Sequence, residues 1–363
     1  MPGLKTNTNY DVMGKETTNN STDSLLLKTL AGEETKRPPF WFMRQAGRVL
    51  PSYRLLKEKY SLWHMMNTPD IGANVTLLPV NDLGVDAAIL FSDILMVPYA
   101  MGMGFEFTES GPVFSSPLAF ATDPLAKLNP DPSKLNFVYN IIDRVIADKP
   151  SSVPLIGFCG APLTVMCYMI QGLGKKTDFP DAIKFMYENK ADTKKLIKSV
   201  TDLSIEYVKG QIEHGIEVFQ LFESHAGLVP LDLYYELFMP SVKQISRVVR
   251  DNNIPFIFFP KGLGAGIETV TPEVCDYLSI DWQIPIGLAR KLVHKEIGLQ
   301  GNLDPRLLYA SKEEITDQLQ KYIDFGRINQ NWIFNLGHGF MKDTPYENAK
   351  FMADWIKNTN WRR

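Results

Sequence analysis

Short apolar runs recur along this chain, and each stops at a polar or glycine-rich cluster. The eight runs occupy residues 40–43, 87–91, 153–158, 217–222, 255–259, 277–281, 297–301 and 331–336. Most intervals between them hold a stretch with the periodicity of an amphipathic helix, so the pattern reads as strand then helix, repeated. Eight such units are what a closed (β/α)8 barrel requires, and there the residues just past the strands form the active face. The expected fold is an α/β TIM barrel, one domain over residues 25–363 behind a short polar tail at 1–24. Functional side chains are expected where the runs end.

With 363 residues the chain has room for two domains, but the repeat favours one barrel with insertions. Hydrophobic residues at 45% and charged residues at 22% are enough to build a sizeable core. Lysine and arginine number 38 against 41 acids, a net charge of −3 with no global field to attract nucleic acid. Any anion site must be local. Three scattered cysteines, Cys159, Cys167 and Cys275, argue against a secreted disulfide framework and for buried thiols in a reducing cytoplasm. Asn, Thr and Ser dominate residues 1–22, with no apolar segment, so a disordered tail is expected there and not a signal or anchor.

Residues 150–174 carry no charge and are long enough to span a bilayer. Pro150, Pro154, Pro162 and four glycines interrupt them. A strand at 153–158, a turn at 159–161 and a helix opened by Pro162 explain the stretch better. Further helices are expected at 51–60 and 69–82, the latter with Thr68 as N-cap before Pro69. An irregular excursion or small hairpin is expected between 101 and 132, then a helix over 132–148 and two or three charged helices over 178–210. The later helices read as 231–250, 285–294, 312–325 and 346–358. Gly262, Gly264 and Gly266 lack the G-x-G-x-x-G spacing of a dinucleotide loop.

Several run ends could carry chemistry. Arg44 and Arg48 lie four residues apart after the first run, with Arg54 beyond Pro51. Guanidinium forks suit carboxylate or phosphate capture; structural ion pairing is the alternative. Asp93 stands among apolar residues at the end of the second run. An isolated buried carboxylate is costly, so it must be paired, used as a cap or held for a ligand's donors. Ser224 and His225 follow the fourth run and His338 the eighth, but no G-x-S-x-G elbow exposes the serine as a nucleophile. None of the five histidines lies in H-x-C or H-E-x-x-H, which disfavours a metal centre.

These clusters, in this order, resemble the uroporphyrinogen decarboxylase family. The long signature is Arg37-Pro-Pro-Phe-Trp-Phe-Met-Arg44-Gln-Ala-Gly-Arg48-Val-Leu-Pro-Ser-Tyr-Arg54. Phe91-Ser-Asp93-Ile-Leu, Gly160-Ala-Pro162 with Tyr168, Phe222-Glu-Ser224-His225, Asp281-Trp282, Gly301-Asn-Leu-Asp304-Pro305 and Asn335-Leu-Gly-His338-Gly339 extend it. The resemblance implies a barrel, a cytoplasmic homodimer with facing clefts, and conversion of four acetate arms of uroporphyrinogen III to methyls without metal or organic cofactor. It implies no nucleic-acid or membrane partner. It assigns Arg44, Arg48, Asp93, Tyr168, Ser224 and His338 to the substrate cleft, with Phe222 in its apolar lining. Chemistry then singles out Asp93 and Arg44 as the catalytic candidates, and the substrate's eight carboxylates suit Arg54 and Lys261 as further rim cations. Leu163, Gln171, Leu173 and Lys175 depart from the pattern beside the expected cleft. The rival reading is a zinc-dependent corrinoid- or thiol-linked methyltransferase of the same broader fold family.

Overall fold

In the computed structural model, which describes residues 23–108, 111–172 and 178–361, seven parallel strands form one curled sheet. They are β1 (Ala88–Ile89), β4 (Leu155–Gly160), β5 (Val218–Glu223), β6 (Phe256–Pro260), β7 (Tyr277–Ser279), β8 (Gly298–Gln300) and β9 (Trp332–Ile333), hydrogen-bonded in that order. The intervening β2 (Phe105–Thr108) and β3 (Gly111–Phe114) make the expected small hairpin, pairing antiparallel with Phe105 opposite Phe114. The tail through residue 22 and positions 173 and 175 lie outside the described residues.

The first apolar run corrects the sequence reading, because it forms a single parallel bridge, Phe40 to Phe334, in place of a strand. Pro38 and Pro39 cannot donate to a ladder. Past them, side chains take the bonds a neighbouring strand would take: Phe40 N–H donates to Asp86 Oδ2, Phe42 N–H to Gln45 Oε1 and Met43 N–H to Asn335 Oδ1. The segment still reaches both sheet edges. Phe334 N–H donates to Pro39 O and Asp86 N–H to Phe40 O, each at 2.9 Å.

A polar layer crosses the interior just below the strand ends. Trp41 Nε1 donates to Gln300 Oε1, and Gln300 Nε2 donates to Gln220 Oε1 and Ser279 Oγ, at 2.9–3.0 Å. One glutamine thus ties the first run to β5, β7 and β8. Around it the buried aromatics Trp41, Phe219, Phe256, Phe258 and Trp332 fill the core.

Proline places several helix starts where its missing N–H costs nothing: Pro51–Lys59, Pro69–Asp82 and Pro162–Gln171 all begin on it. Thr68 precedes Pro69 as expected, although its side chain makes no capping bond. Pro240 divides the expected 231–250 helix into Leu231–Leu237 and Met239–Asp251, and residues 132–135 form a 3₁₀ turn ahead of the Asn136–Asp148 helix. Short helices at Leu25–Leu30, Leu62–Asn67 and Met96–Ala100 carry too few residues to show a period. The three cysteines are free and buried. No described helix is long and apolar enough to cross a membrane.

Arg37 grips Asp86 with two nitrogens, at 2.6 and 2.9 Å, and the same carboxylate holds Phe40 N–H. Both side chains are nearly buried, at 11% and 13% exposure, so removing one partner strands the other's charge. Asp86→Ala should therefore lose about 3–5 kcal/mol in denaturant titration. A loss below about 1 kcal/mol would mean the pair does not fasten the sheet edge.

Candidate active site

A cavity opens where the strands end, with about 1010 Å³ of space including its mouth. The segment after β1 supplies Ser92 and Asp93; β4 supplies Phe158, and the Pro162–Gln171 helix supplies Tyr168. Phe222 and Ser224 come from the end of β5, Arg44 from the first run, and His338 and Gly339 from the segment after β9. Pro112 reaches in from the hairpin. The floor is apolar and aromatic: Phe222 meets Phe158 edge-on at 5.5 Å and Phe259 at 6.0 Å. A few polar groups converge over that floor, the usual composition of a ligand site.

Asp93 is half-buried, and its Oδ1 accepts the Leu95 N–H at 2.9 Å. Its other oxygen takes no hydrogen bond from the described residues. Burial raises this carboxyl above the ordinary range, against the opposing pull of the Leu95 N–H and then of Arg44. So one oxygen closes a local turn and does not cap the Met96–Ala100 helix, which has Leu95 as its N-cap and no side-chain capping bond, and the Asp93 side chain lines the cavity.

Arg44 sits at φ +60°, a left-handed conformation that few side-chain-bearing residues adopt. It forms no ion pair among the described residues, and its field acts on Asp93, Tyr168 and His338. Gly339 makes room for it: a Cβ there would overlap Arg44 at Cβ, Cγ and Cδ. Phe340 N–H donates to Met43 O at 3.1 Å, which holds the two segments at that approach.

The remaining polar groups are held neutral. Burial, with Arg44 and Lys261 nearby, pushes His338 down to about 3; its ring stacks on Trp282 at 6.3 Å. Burial raises the Tyr168 phenol to about 12, and Asp93 adds to the shift. His225 is lowered to about 4 by burial and then by Lys261, and its ring packs on Phe179 and Tyr168. Ser224 faces the cavity, and among the described residues no hydrogen bond joins it to His225, so the two are not arranged as nucleophile and base.

The structure thus gathers Arg44, Asp93, Tyr168, Phe222, Ser224 and His338 in one cavity. It does not place Arg48 and Arg54 there: they line a separate hollow with Lys57, Glu58, Lys342, Asp343 and Tyr346. Lys261 lies over the Trp282 ring at 5.7 Å. Leu163 is fully buried, and Gln171 accepts the N–H groups of Asp181 and Ala182, capping the Pro180–Glu188 helix. Pro112 had no signal in the sequence, because nothing in the hairpin's local pattern says which way it folds. Gly339 had one, lying directly after His338.

Fold and cavity together define an α/β protein with a strand-end cleft, lined among the described residues by one carboxylate and one guanidinium over an aromatic floor. The uroporphyrinogen decarboxylase (URO-D) family model matches residues 21–359. A uroporphyrinogen decarboxylase of Christiangramia forsetii is 38% identical over 338 residues, covering 92% of this chain and 98% of the relative. Another, from Wigglesworthia glossinidia brevipalpis, is 36% identical over 340 residues, with 92% and 94% covered. The chain belongs to the uroporphyrinogen decarboxylase family. Among solved structures, a methyltransferase from Methanosarcina mazei superposes with a TM-score of 0.72 over 92% of this chain and 98% of its own, at 17% identity. A B12-independent methionine synthase from Shewanella reaches 0.51 at 11% identity, covering 89% of this chain and 96% of its own. Those likenesses are of fold. Among the described residues no three His, Cys, Asp or Glu side chains gather as metal ligands would.

The raised Asp93 carboxyl makes a prediction about the free protein. Folding raises its pKa, so the folded state binds more protons between the unfolded and folded values, and stability falls as pH rises through that window. Above it the buried anion is a net cost. Asp93→Asn keeps an acceptor for Leu95 N–H and removes the charge. It should melt higher than the native protein at pH 7, with the difference shrinking as the pH falls below the ordinary carboxylate range. A lower melting temperature at pH 7 would show the anion to be satisfied in the free protein.

Proposed function

We propose that this chain converts the four acetate arms of uroporphyrinogen III to methyls, releasing four molecules of CO2 and giving coproporphyrinogen III. Membership of the decarboxylase family carries the reaction class; a single anion in a strand-end cleft supports the assignment of roles. The reading places a single (β/α)8 domain from residue 25 onward, in which the Phe40 segment, bonded to both sheet edges, closes the ring where an eighth strand would lie. It also includes a cytoplasmic homodimer and no cofactor.

Uroporphyrinogen III is a flexible, unconjugated ring with four inward pyrrole N–H groups and eight carboxylate arms. It needs one central acceptor and a rim of donors. Asp93 is that acceptor, and each charge-assisted N–H bond supplies about 1.5–3 kcal/mol toward keeping the carboxylate ionised against burial. Arg44, Tyr168, Ser224 and His338 receive arms inside the cleft. His338, held neutral, donates one N–H without adding charge. Arg48 and Arg54, which line a separate hollow, hold outer arms.

Loss of CO2 from an acetate on a pyrrole needs an electron sink. Protonation of the adjacent ring carbon creates a cation delocalised onto nitrogen. The bond to the carboxylate then breaks, its electron pair neutralises the ring, and a methylene is left. A second proton completes the methyl while the ring proton leaves, so each CO2 consumes one proton overall. Asp93 faces the cation in an apolar cleft, where a fixed charge acts strongly. Arg44 stands beside it and positions the proton source, since a guanidinium releases its own protons poorly.

Anaerobic incubation with uroporphyrinogen III should yield a ladder of products, each lighter by one CO2, in the mass spectrum. Unchanged substrate would overturn the reading. Asp93→Asn should lower kcat by about 10³-fold, because the anchor and the cation stabiliser are lost together; native kcat would remove Asp93 from the mechanism. Gly339→Ala, which pushes on Arg44, should lower kcat/KM by at least roughly tenfold, and native kinetics there would mean that Arg44 needs no fixed position.

A further inference from the structure

Directly behind the cleft wall lies a carboxylate that the chemistry above leaves unused. Glu223 ends β5 between Phe222 and Ser224, both of which face the cavity, and is itself fully buried. It points to the opposite side of the strand, into the start of the Pro162–Gln171 helix. There it accepts the Leu163 N–H at 3.3 Å, the Thr164 N–H at 2.7 Å and the Thr164 hydroxyl. The Tyr234 hydroxyl, from the Leu231–Leu237 helix, donates to it at 3.3 Å. Thr164 Oγ1 in turn accepts the His225 N–H at 3.1 Å.

One side chain therefore fastens three elements that meet at one wall of the cleft. Tyr168 lies one helical turn beyond Thr164, on the same face of its helix. Ser224 and His225 follow Glu223 directly, and the Tyr168 and His225 rings are 5.7 Å apart. Any slip between helix and strand moves Tyr168 relative to Ser224.

We propose that Glu223 is a positioning residue that sets the separation of Tyr168 and Ser224, and through it the grip on the substrate's arms. The assignment rests on the decarboxylase reading given above. An apolar residue would fill the same space without accepting four donors, whereas a carboxylate fixes the helix start in both distance and rotation. Burial raises Glu223 to about 7, against the pull of its four donors. The titratable groups facing it are the Cys159 and Cys167 thiols and the Tyr234 phenol, all raised by burial and therefore protonated. Protonation of Glu223 turns one acceptor oxygen into a donor and loosens the clamp as pH falls through that value.

The test is steady-state kinetics with uroporphyrinogen III on the native protein, Glu223→Gln, Thr164→Val and Thr164→Ser, each at a temperature where circular dichroism shows it folded. Glu223→Gln should raise KM by about tenfold with kcat within roughly threefold of native. Thr164→Val should shift KM the same way, and Thr164→Ser, which keeps the hydroxyl, should restore it. In the native protein KM should rise as pH falls through about 7, and Glu223→Gln should lack that inflection. A folded Glu223→Gln with native KM and native pH profile would overturn the assignment. Should that variant not fold, native KM in Thr164→Val would do the same. Active native protein with unaffected variants removes the positioning role alone; inactive native protein removes the decarboxylase reading and this assignment with it.

Discussion

A carboxylate kept partly unsatisfied at the end of a strand is the interaction around which this molecule is arranged. Asp93 gives one oxygen to the Leu95 N–H and leaves the other to a cavity whose floor is aromatic. Such a group is expensive in the free protein, and burial shows its cost as a raised pKa. The arrangement makes sense when a ligand brings the missing donors. Its neighbours fit the same purpose. Arg44 supplies opposite charge without pairing with an acid among the described residues, and His338 and Tyr168 stay neutral, adding hydrogen-bonding capacity but no competing charge. Function here draws on stability stored elsewhere in the fold.

The rest of the structure supplies rigidity where that site needs it. A glutamine layer below the cavity joins the first run to three strands, and the Arg37–Asp86 pair fastens the segment that bears Arg44. Main-chain bonds at Phe40 reach both edges of the sheet, so the arginine hangs from a region tied on two sides. Gly339 then gives its side chain a narrow path into the cleft. On the opposite wall Glu223 fastens a helix start to a strand end. Both walls are thus set by buried polar contacts, which fix orientation more sharply than apolar packing alone.

Much of this was legible in the chain itself. Seven of the eight apolar runs form strands, because short β-rich segments bounded by polar clusters leave little alternative. The first run also reads as a strand by hydrophobicity, but local pattern cannot show that Pro38 and Pro39 withhold donors while Gln45 and Asn335, the latter 292 residues from Met43, supply substitutes. Asp93 stood out because a lone acid among apolar residues is a chemical anomaly. Arg48 and Arg54 resembled Arg44 in sequence, and no local pattern shows that Arg44 lines the cleft while the other two line another hollow. Glu223 was hidden for the opposite reason: its partners lie on two helices, about 60 and 11 residues distant in sequence, and a buried clamp leaves no mark of its own.

Asp93 is proposed to bind the pyrrole hydrogens as an ionised carboxylate. Carbon-13 NMR of the Asp93 carboxyl, titrated anaerobically with and without coproporphyrinogen III, addresses it most directly. The carboxyl should show a raised pKa in the free protein and a marked fall on binding, because convergent N–H donors favour the charged form. A pKa that stays put or climbs when the ligand binds would contradict it.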